Sequence, residues 1–371
     1  MMVKLRQVME AINQLAPWDL AETWDNVGLQ VGMFDRDLQR ILVAVDLNKA
    51  VFEEGLQQKV DGFIIHHPLL FKPISAINSN SLIGTQLLNL IRQDCFVIAA
   101  HTNIDKAERG INQYLAEQLE LTKIEILEPV ASELVKIVVF TPEEYLTQVR
   151  EAMAEAGAGV IGDYHECSFG LKGVGTFIPG ANSNPFIGTN NQLEEVAEIR
   201  LEMIAPKKNL TAILKAIMVV HPYEEPAIDL YPLLNHDSKH GLGRIGHLVN
   251  PMKLTDACKL IKEKLQINEL RVAGNPEKMI KKIAICSGSG RSLISNAMRQ
   301  GADLYLTADL TYHDYTGTDT EGMALVDAGH FSTEKCFIPL MSNYLSDKFK
   351  ADGVEIIPST SISTDPYQSL K

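Results

Sequence analysis

Ten histidines are spread over 371 residues, and four of them fall where short apolar runs end. His66 and His67 follow Gly62-Phe63-Ile64-Ile65, His101 follows Phe96-Val97-Ile98-Ala99-Ala100, and His330 follows Leu325-Val326-Asp327-Ala328-Gly329. Two carboxylates stand four residues further on, Asp105 after His101 and Glu334 after His330. Side chains four apart share a face of a helix, so His330 and Glu334 can reach one ion together. Imidazole nitrogen and carboxylate oxygen suit a borderline divalent metal, whether zinc, manganese or iron, and no thiolate competes in these segments. Adjacent His66 and His67 point apart on an extended chain, so one ion cannot easily take both. Two ions flanking the pair can, with Glu334 bridging them. The pattern predicts a dinuclear metal site of the kind that serves hydrolysis by polarising an oxygen and activating water at neutral pH.

Weaker signals surround this set. Asp309 and His313 form another i, i+4 pair after the run ending at Thr307, with a supporting or proton-transfer role open to them. Ser287-Gly288-Ser289-Gly290 lies between a strand pattern and a helix pattern. It reads either as a cradle of N–H groups for a phosphate or as a plain tight turn, since it lacks the lysine of a P-loop. No Gly-x-Ser-x-Gly elbow occurs, and no cysteine stands in a nucleophile motif.

The elements that must position these residues are buried strands. Ile41–Val45, Gly62–Ile65 and Phe96–Ala100 are continuous apolar runs separated by helix-period segments, and Lys282–Cys286, Asp303–Thr307 and Met323–Val326 repeat that texture. Such runs predict strands covered on both faces in an α/β sheet, whose ligands gather beyond the strand ends. An offset of 242 lays Ile41–Val43 on Ile283–Ile285 and Asp61–Ile65 on Asp303–Thr307, and an offset of 229 lays Val97 on Val326, His101 on His330 and Asp105 on Glu334. We read this as an internal duplication. The middle has another order: strand Leu134–Phe140, helix Pro142–Ala156, strands Glu166–Ile178 and Glu195–Ile204, helix Leu210–Val219 and strand Ala227–Leu233. That β-α-β-β-α-β order is the ferredoxin-like plan, with Asn182–Asn191 as an exposed loop. The expected partition is therefore two related α/β halves, 1–126 and 241–371, forming one metal-binding unit interrupted by an α+β domain at 127–240.

Composition sets outer limits. At about 100–200 residues per domain, the length suits two or three domains. A formal net charge of −13 without a block of lysine or arginine argues against nucleic acid or anionic lipid as the main partner. No run of about 18 apolar residues appears, so no membrane span is expected. Five widely spaced cysteines (Cys95, Cys167, Cys258, Cys286, Cys336) predict reduced core residues of a cytoplasmic protein rather than a disulfide framework.

Four segments together resemble a family. Glu22-Thr23-Trp24-Asp25-Asn26-Val27-Gly28-Leu29-Gln30-Val31-Gly32 is similar to its N-terminal signature, and His66-His67-Pro68, His101-Thr102-Asn103-Ile104-Asp105 and Gly329-His330-Phe331-Ser332-Thr333-Glu334 to its site motifs. These are the GTP cyclohydrolase 1 type 2 homologs, also called NGG-interacting-factor-three-like proteins. The resemblance implies two divalent ions per subunit, one held by His67, Asp105 and Glu334, the other by His66, His330 and the shared Glu334. It also implies a toroidal homohexamer and, around His221-Pro222-Tyr223-Glu224-Glu225-Pro226, an insert similar to the PII and CutA proteins, closed by Gly241-Leu242-Gly243-Arg244-Ile245-Gly246. The family name implies hydrolytic opening of a purine nucleotide ring, with His101 or His313 moving the proton. A metal-sensing or regulatory ring without turnover is the alternative. One departure is Thr307-Ala308-Asp309, where the family usually has glycine in the middle, so a close backbone approach there is in question.

Overall fold

The computed structural model describes residues 3–131, 134–317 and 322–361. By internal packing the chain divides into two units: Met1–Val130 with Ser238–Lys371, and Ala131–Asp237. The breaks fall inside the expected 127–240 segment because the strands that flank it run on past those points within a sheet of the first unit.

In chain order the first unit begins with β1 (Val3–Lys4), β2 (Gly28–Val31), β3 (Asp37–Leu38), β4 (Arg40–Ala44), β5 (Gly62–Ile65), β6 (Phe96–Ala99) and β7 (Thr122–Ala131). The second unit holds β8 (Leu134–Thr141), β9 (Ser168–Phe177), β10 (Glu194–Pro206) and β11 (Ile228–Pro232). The chain then supplies β12 (His236–Lys253), β13 (Arg271–Ala273), β14 (Met279–Ile285), β15 (Leu304–Thr307), β16 (Ala324–Asp327) and β17 (Glu355–Pro358). Beside a small β1–β3 ribbon, the first unit has two main sheets, ordered β17-β4-β5-β6-β2 and β13-β16-β15-β14-β12-β7. In each, three consecutive strands run parallel, and an antiparallel strand flanks the third of them.

The central strands are buried along their whole length, as their apolar runs require. Each turns one face to a shared core: Ile41, Val43, Ile64 and Ile98 from one sheet meet the same cluster as Ile283, Ile285, Leu306 and Val326 from the other. Helices Ile111–Gln118 and Phe337–Phe349 add Leu115, Phe337, Met341 and Leu345. Fully burying one such side chain contributes about 1.5–3 kcal/mol. The outer faces are closed separately, by Val51 and Leu90 of helices Lys49–Gln58 and Leu82–Arg92 over Phe63 and Ile65, and by Ala297 of helix Ile294–Arg299 beside Tyr305 and Leu325.

Strand pairing refines one expectation. Ile41 stands opposite Gly62 and Ile283 opposite Leu304, a register unchanged by adding 242. For the third strands, Gly62 faces Phe96 whereas Leu304 faces Ala324, so the offset within the strands is 228, not 229, and Val97 corresponds to Leu325 rather than Val326. The extra residue enters after β16 at Gly329, whose φ of 87° only a glycine takes without strain.

The second unit is a four-stranded antiparallel sheet ordered β11-β8-β10-β9, with helices Leu146–Glu155 and Leu210–Val220 in the chain order β-α-β-β-α-β. Ile137, Val139, Leu201 and Met203 of the sheet pack on Val149, Met153, Ile213 and Ile217 of the helices. All five cysteines are free; Cys95, Cys286 and Cys336 are buried, while Cys167 and Cys258 are half-buried. Among the described residues no helix is long and apolar enough to cross a membrane.

Candidate metal centre

The shared core brings the ends of β5, β6 and β16 together, and with them every first-choice residue. His66 and His67 leave β5, and His101 caps the short helix Thr102–Lys106 that carries Asp105. His330 and Glu334 are one turn apart on helix His330–Glu334. Glu334 Oε2 lies 2.9 Å from His67 Nε2, and Oε1 lies 3.1 Å from His330 Nε2 and 3.6 Å from His66 Nε2. His66 Nε2 is also 3.9 Å from Asp105 Oδ1, and His67 and His330 bring their Nε2 atoms to 3.3 Å. The rings of His66, His67 and His101 place nitrogens within 4.8 Å of one another. Glu334 Oε1 thus faces His66 and His330 while Oε2 faces His67, and the His67–His330 and His66–Asp105 approaches cross that division.

Each imidazole is held from behind through Nδ1. His66 Nδ1 meets the Ala100 carbonyl at 2.9 Å, His67 Nδ1 meets Asp46 at 2.8 Å, His101 Nδ1 meets Asp25 at 2.9 Å, and His330 Nδ1 meets Asp309 at 2.6 Å. An Nδ1–H donated to an oxygen leaves the Nε2 lone pair free and aimed at the centre, the arrangement found behind metal-binding histidines. His66 is fully buried and Glu334 nearly so, yet His66 Nε2 and Glu334 Oε2 are shielded from water without a hydrogen bond of good geometry. Buried polar atoms in that state cost free energy unless a cation or proton satisfies them.

The electrostatics agree. Burial disfavours the charged form of His67, but Asp46 and Glu334 outweigh it and raise its pKa to about 10. For His330 the hydrogen bond to Glu334 outweighs burial and, with Asp309, raises the pKa to about 9. Burial pushes Asp105 up, while the surrounding imidazoles overcome burial to hold Glu334 well below the usual carboxylate range. A field that strong for protons is equally strong for a divalent cation taking their place.

Several expectations change on contact with the structure. Asp309 supports His330, as one of its two expected roles, but it shares no helix face with His313. Asp309 sits in a left-handed turn at φ 57°, the helix begins at Tyr312, and His313 is exposed in a separate depression beside Ser289 and Arg291. The left-handed residue of that turn is thus Asp309 and not Ala308, which is why alanine is tolerated there, fully buried. Ser287–Gly290 is a tight turn whose N–H groups serve the fold: Ser287 N–H goes to Asn112, Gly288 N–H to Thr333 and Gly290 N–H to Thr307. These three are not free for phosphate.

Other functional residues carried little or no sequence signal. Asp46 follows β4, so the strand-end rule already applied to the histidines could have found it. Asp25 lies in an irregular segment and is tied to His101 only by the fold; His101 and Thr102 hold its carboxyl well below the usual range against the opposing effect of burial. Gly288, at φ 56°, is placed so that a Cβ would come 2.2 Å from Glu334 Oε1. Only a residue without a side chain lets the turn lie against the Glu334 carboxylate. The centre opens into a cavity of about 660 Å³ walled by Trp24, Phe71, Lys106 and Ser287. The Trp24 and Phe71 rings meet edge to face at 5.9 Å, each within 6.3 Å of the His101 ring, and Lys106 is paired with Glu22 at 2.6 Å.

The profile of the Duf34/NIF3 (NGG1p interacting factor 3) family matches residues 3–366. The chain belongs to this family. A Bacillus subtilis relative called "GTP cyclohydrolase 1 type 2 homolog" is 38% identical over 368 residues, covering 98% of each chain. One of the same name from Listeria monocytogenes is also 38% identical, over 96% of each chain. Among solved structures, a Bacillus cereus protein related to NIF3 is 35% identical with a TM-score of 0.75 over the full length of both chains. A Staphylococcus aureus protein is 28% identical with a TM-score of 0.84, over 100% of this chain and 99% of that one. A mixed α/β architecture with several sheets is therefore common to this chain and its Duf34/NIF3 neighbours.

Proposed function

We propose that the chain holds two divalent metal ions in this cluster and hydrolyses a small cyclic substrate of the purine-nucleotide class. The observation that carries the reading is a set of four histidines each tied through Nδ1, three of which, His66, His67 and His330, turn Nε2 toward a buried glutamate whose two oxygens face different rings. Glu334 would bridge, with His66, His67, Asp105 and His330 as further ligands. The donor set suits zinc, manganese or iron. Bound ions would supply Lewis acidity and activate water for hydrolysis.

The chain's own residues would do the rest. Trp24 and Phe71 offer faces on which a planar ring can stack, and Lys106 and the Ser287 hydroxyl offer polar contacts on the same cavity wall. His101, steadied by Asp25, stands at the cavity and would carry a proton between substrate and solvent. The name that the relatives carry, GTP cyclohydrolase 1 type 2 homolog, supports a purine nucleotide as the first substrate to try.

The test is metal analysis combined with a turnover screen on GTP and other purine nucleotides. Two ions per chain, and hydrolysis abolished by His67→Ala, are expected. Tight metal binding with no turnover of any nucleotide would favour the second reading, a metal-dependent sensor. What supports that reading is a second unit with a cavity of its own.

Three further proposals accompany this one. The matched registers of β4–β5 and β14–β15 support an internal duplication. The second unit, β-α-β-β-α-β between two stretches of the first, supports an inserted ferredoxin-like domain. A cytoplasmic toroidal homohexamer is the assembly to test, by light scattering of the purified chain.

A further inference from the structure

The second unit carries a cavity of about 660 Å³ on its sheet, under the segment that follows β9. Its floor is made by Phe140 of β8, Gly175 and Phe177 of β9 and Glu198 of β10, and its walls by Phe186 and Tyr223. The aromatic rings face one another around the space, with centroids 6.5 Å apart for Phe177 and Tyr223 and 6.2 Å for Phe186 and Tyr223. Three carboxylates line it, Glu198, Glu224 and Glu225, and none of the lining residues is lysine, arginine or histidine.

The construction is specific. Gly175 leaves room for the Glu198 carboxylate, since a Cβ there would come 2.2 Å from its Oε2. Glu224 Oε2 accepts the Asn184 N–H at 2.9 Å, which ties the covering loop to the far wall. The Tyr223 hydroxyl is shielded from water without a hydrogen bond of good geometry, and burial and then the nearby Glu198 carboxylate push its pKa up, so it stays neutral. Arg200 holds its guanidinium 5.8 Å from the Phe140 centroid. It lies outside the lining and is bonded to Glu202 at 2.8 Å.

Aromatic faces and carboxylates around one space suit a ligand with an apolar body and a positive charge. A neutral apolar ligand would leave the half-buried Glu198 carboxylate without a counter-charge, and an anion would be repelled by Glu198, Glu224 and Glu225. A hydrated inorganic cation would gain nothing from the rings. We propose that this cavity binds a small organic ammonium ion, its charge toward Glu198 and its alkyl groups against Phe177, Phe186 and Tyr223. The volume lies within the range of about 300–1,000 Å³ usual for small-molecule sites.

Calorimetric titration of the full chain with choline, and with its uncharged carbon analogue 3,3-dimethylbutan-1-ol, tests this. Saturable choline binding is expected, with the analogue at least about tenfold weaker because the charge term alone is lost. Glu198→Gln and Phe186→Ala should each weaken choline by about tenfold, while Glu334→Gln should leave it unchanged. That last result separates this site from the metal centre, so either reading can fail alone. Absence of binding by choline and by benzylammonium at millimolar concentration would overturn the proposal. So would equal binding of the neutral analogue, or a Glu198→Gln variant as tight as wild type.

Discussion

Two cavities of the same size, about 660 Å³, both carry carboxylates, and the neighbours of those carboxylates differ. In the first unit the carboxylates are interleaved with imidazoles: Glu334 touches three ring nitrogens, and Asp25, Asp46 and Asp309 stand behind three of the rings. In the second unit the carboxylates stand among phenyl and phenol rings with no imidazole in the lining. A bare metal ion needs lone pairs on several sides and repays their desolvation; an alkylammonium needs a diffuse negative face and apolar contact. A carboxylate in a cavity therefore says little about its ligand until its neighbours are known.

The largest expected effect on this contrast comes from Glu334→Ala, which should release both ions from the first unit, read as metal per chain after dialysis. Retention of two ions would remove the bridge and with it the case for a paired site. Gly288→Ala should come next: its Cβ falls on Glu334 Oε1, and a left-handed backbone costs a side-chain residue about 1–2 kcal/mol. Lower metal content and lower thermal stability together are expected, and a fully loaded, equally stable variant would mean the turn is free to shift.

Smaller and more selective is Asp309→Asn, which leaves every ligand in place but weakens the hold on His330 Nδ1. Metal affinity should drop about 10–100-fold, as is usual for partners behind a ligand, measured by competition with a chelating dye. Choline binding by the second unit should not move, and a parallel loss there would break the comparison by showing that the units are coupled.

The pH response gives the mildest test. His67 and His330 have folded pKa values of about 10 and about 9, above the 6.5 of a free imidazole. In chelator-stripped protein their contribution to stability is fully present below about pH 6.5 and is lost as pH rises through 9 to 10. Metal binding needs the neutral rings, so affinity should climb over the same interval. Thermal unfolding of stripped protein that stayed flat from pH 7 to 10 would show that the carboxylates do not hold those protons.

Much of the site could be read from residue order alone because it depends on local rules. Buried strands announce themselves as apolar runs, ligands sit where such runs stop, and a helix turn links His330 to Glu334. The ordering of β-α-β-β-α-β in the middle could be read for the same reason. Asp25 stood in the N-terminal signature without a role, because its partner His101 is 76 residues away and its own segment has no period. Gly288 escaped because its constraint is a close approach to Glu334, which no pattern encodes. The loop at Asn182–Asn191 looked like an exposed connection, yet its residues Asn182 and Ser183 line the second cavity.

The amino-acid order determined which side chains would be presented at strand ends and that they would be imidazoles and carboxylates, since alternation and burial act over a few residues. Only the tertiary structure decided which nitrogens meet which oxygens. The two sheets share one core, and that packing carries His66 and His67 to Glu334 across a sequence separation no local preference can bridge. The same holds for the aromatic cavity, whose rings come from β8, β9, a loop and the turn after a helix, and become one wall only when the sheet forms.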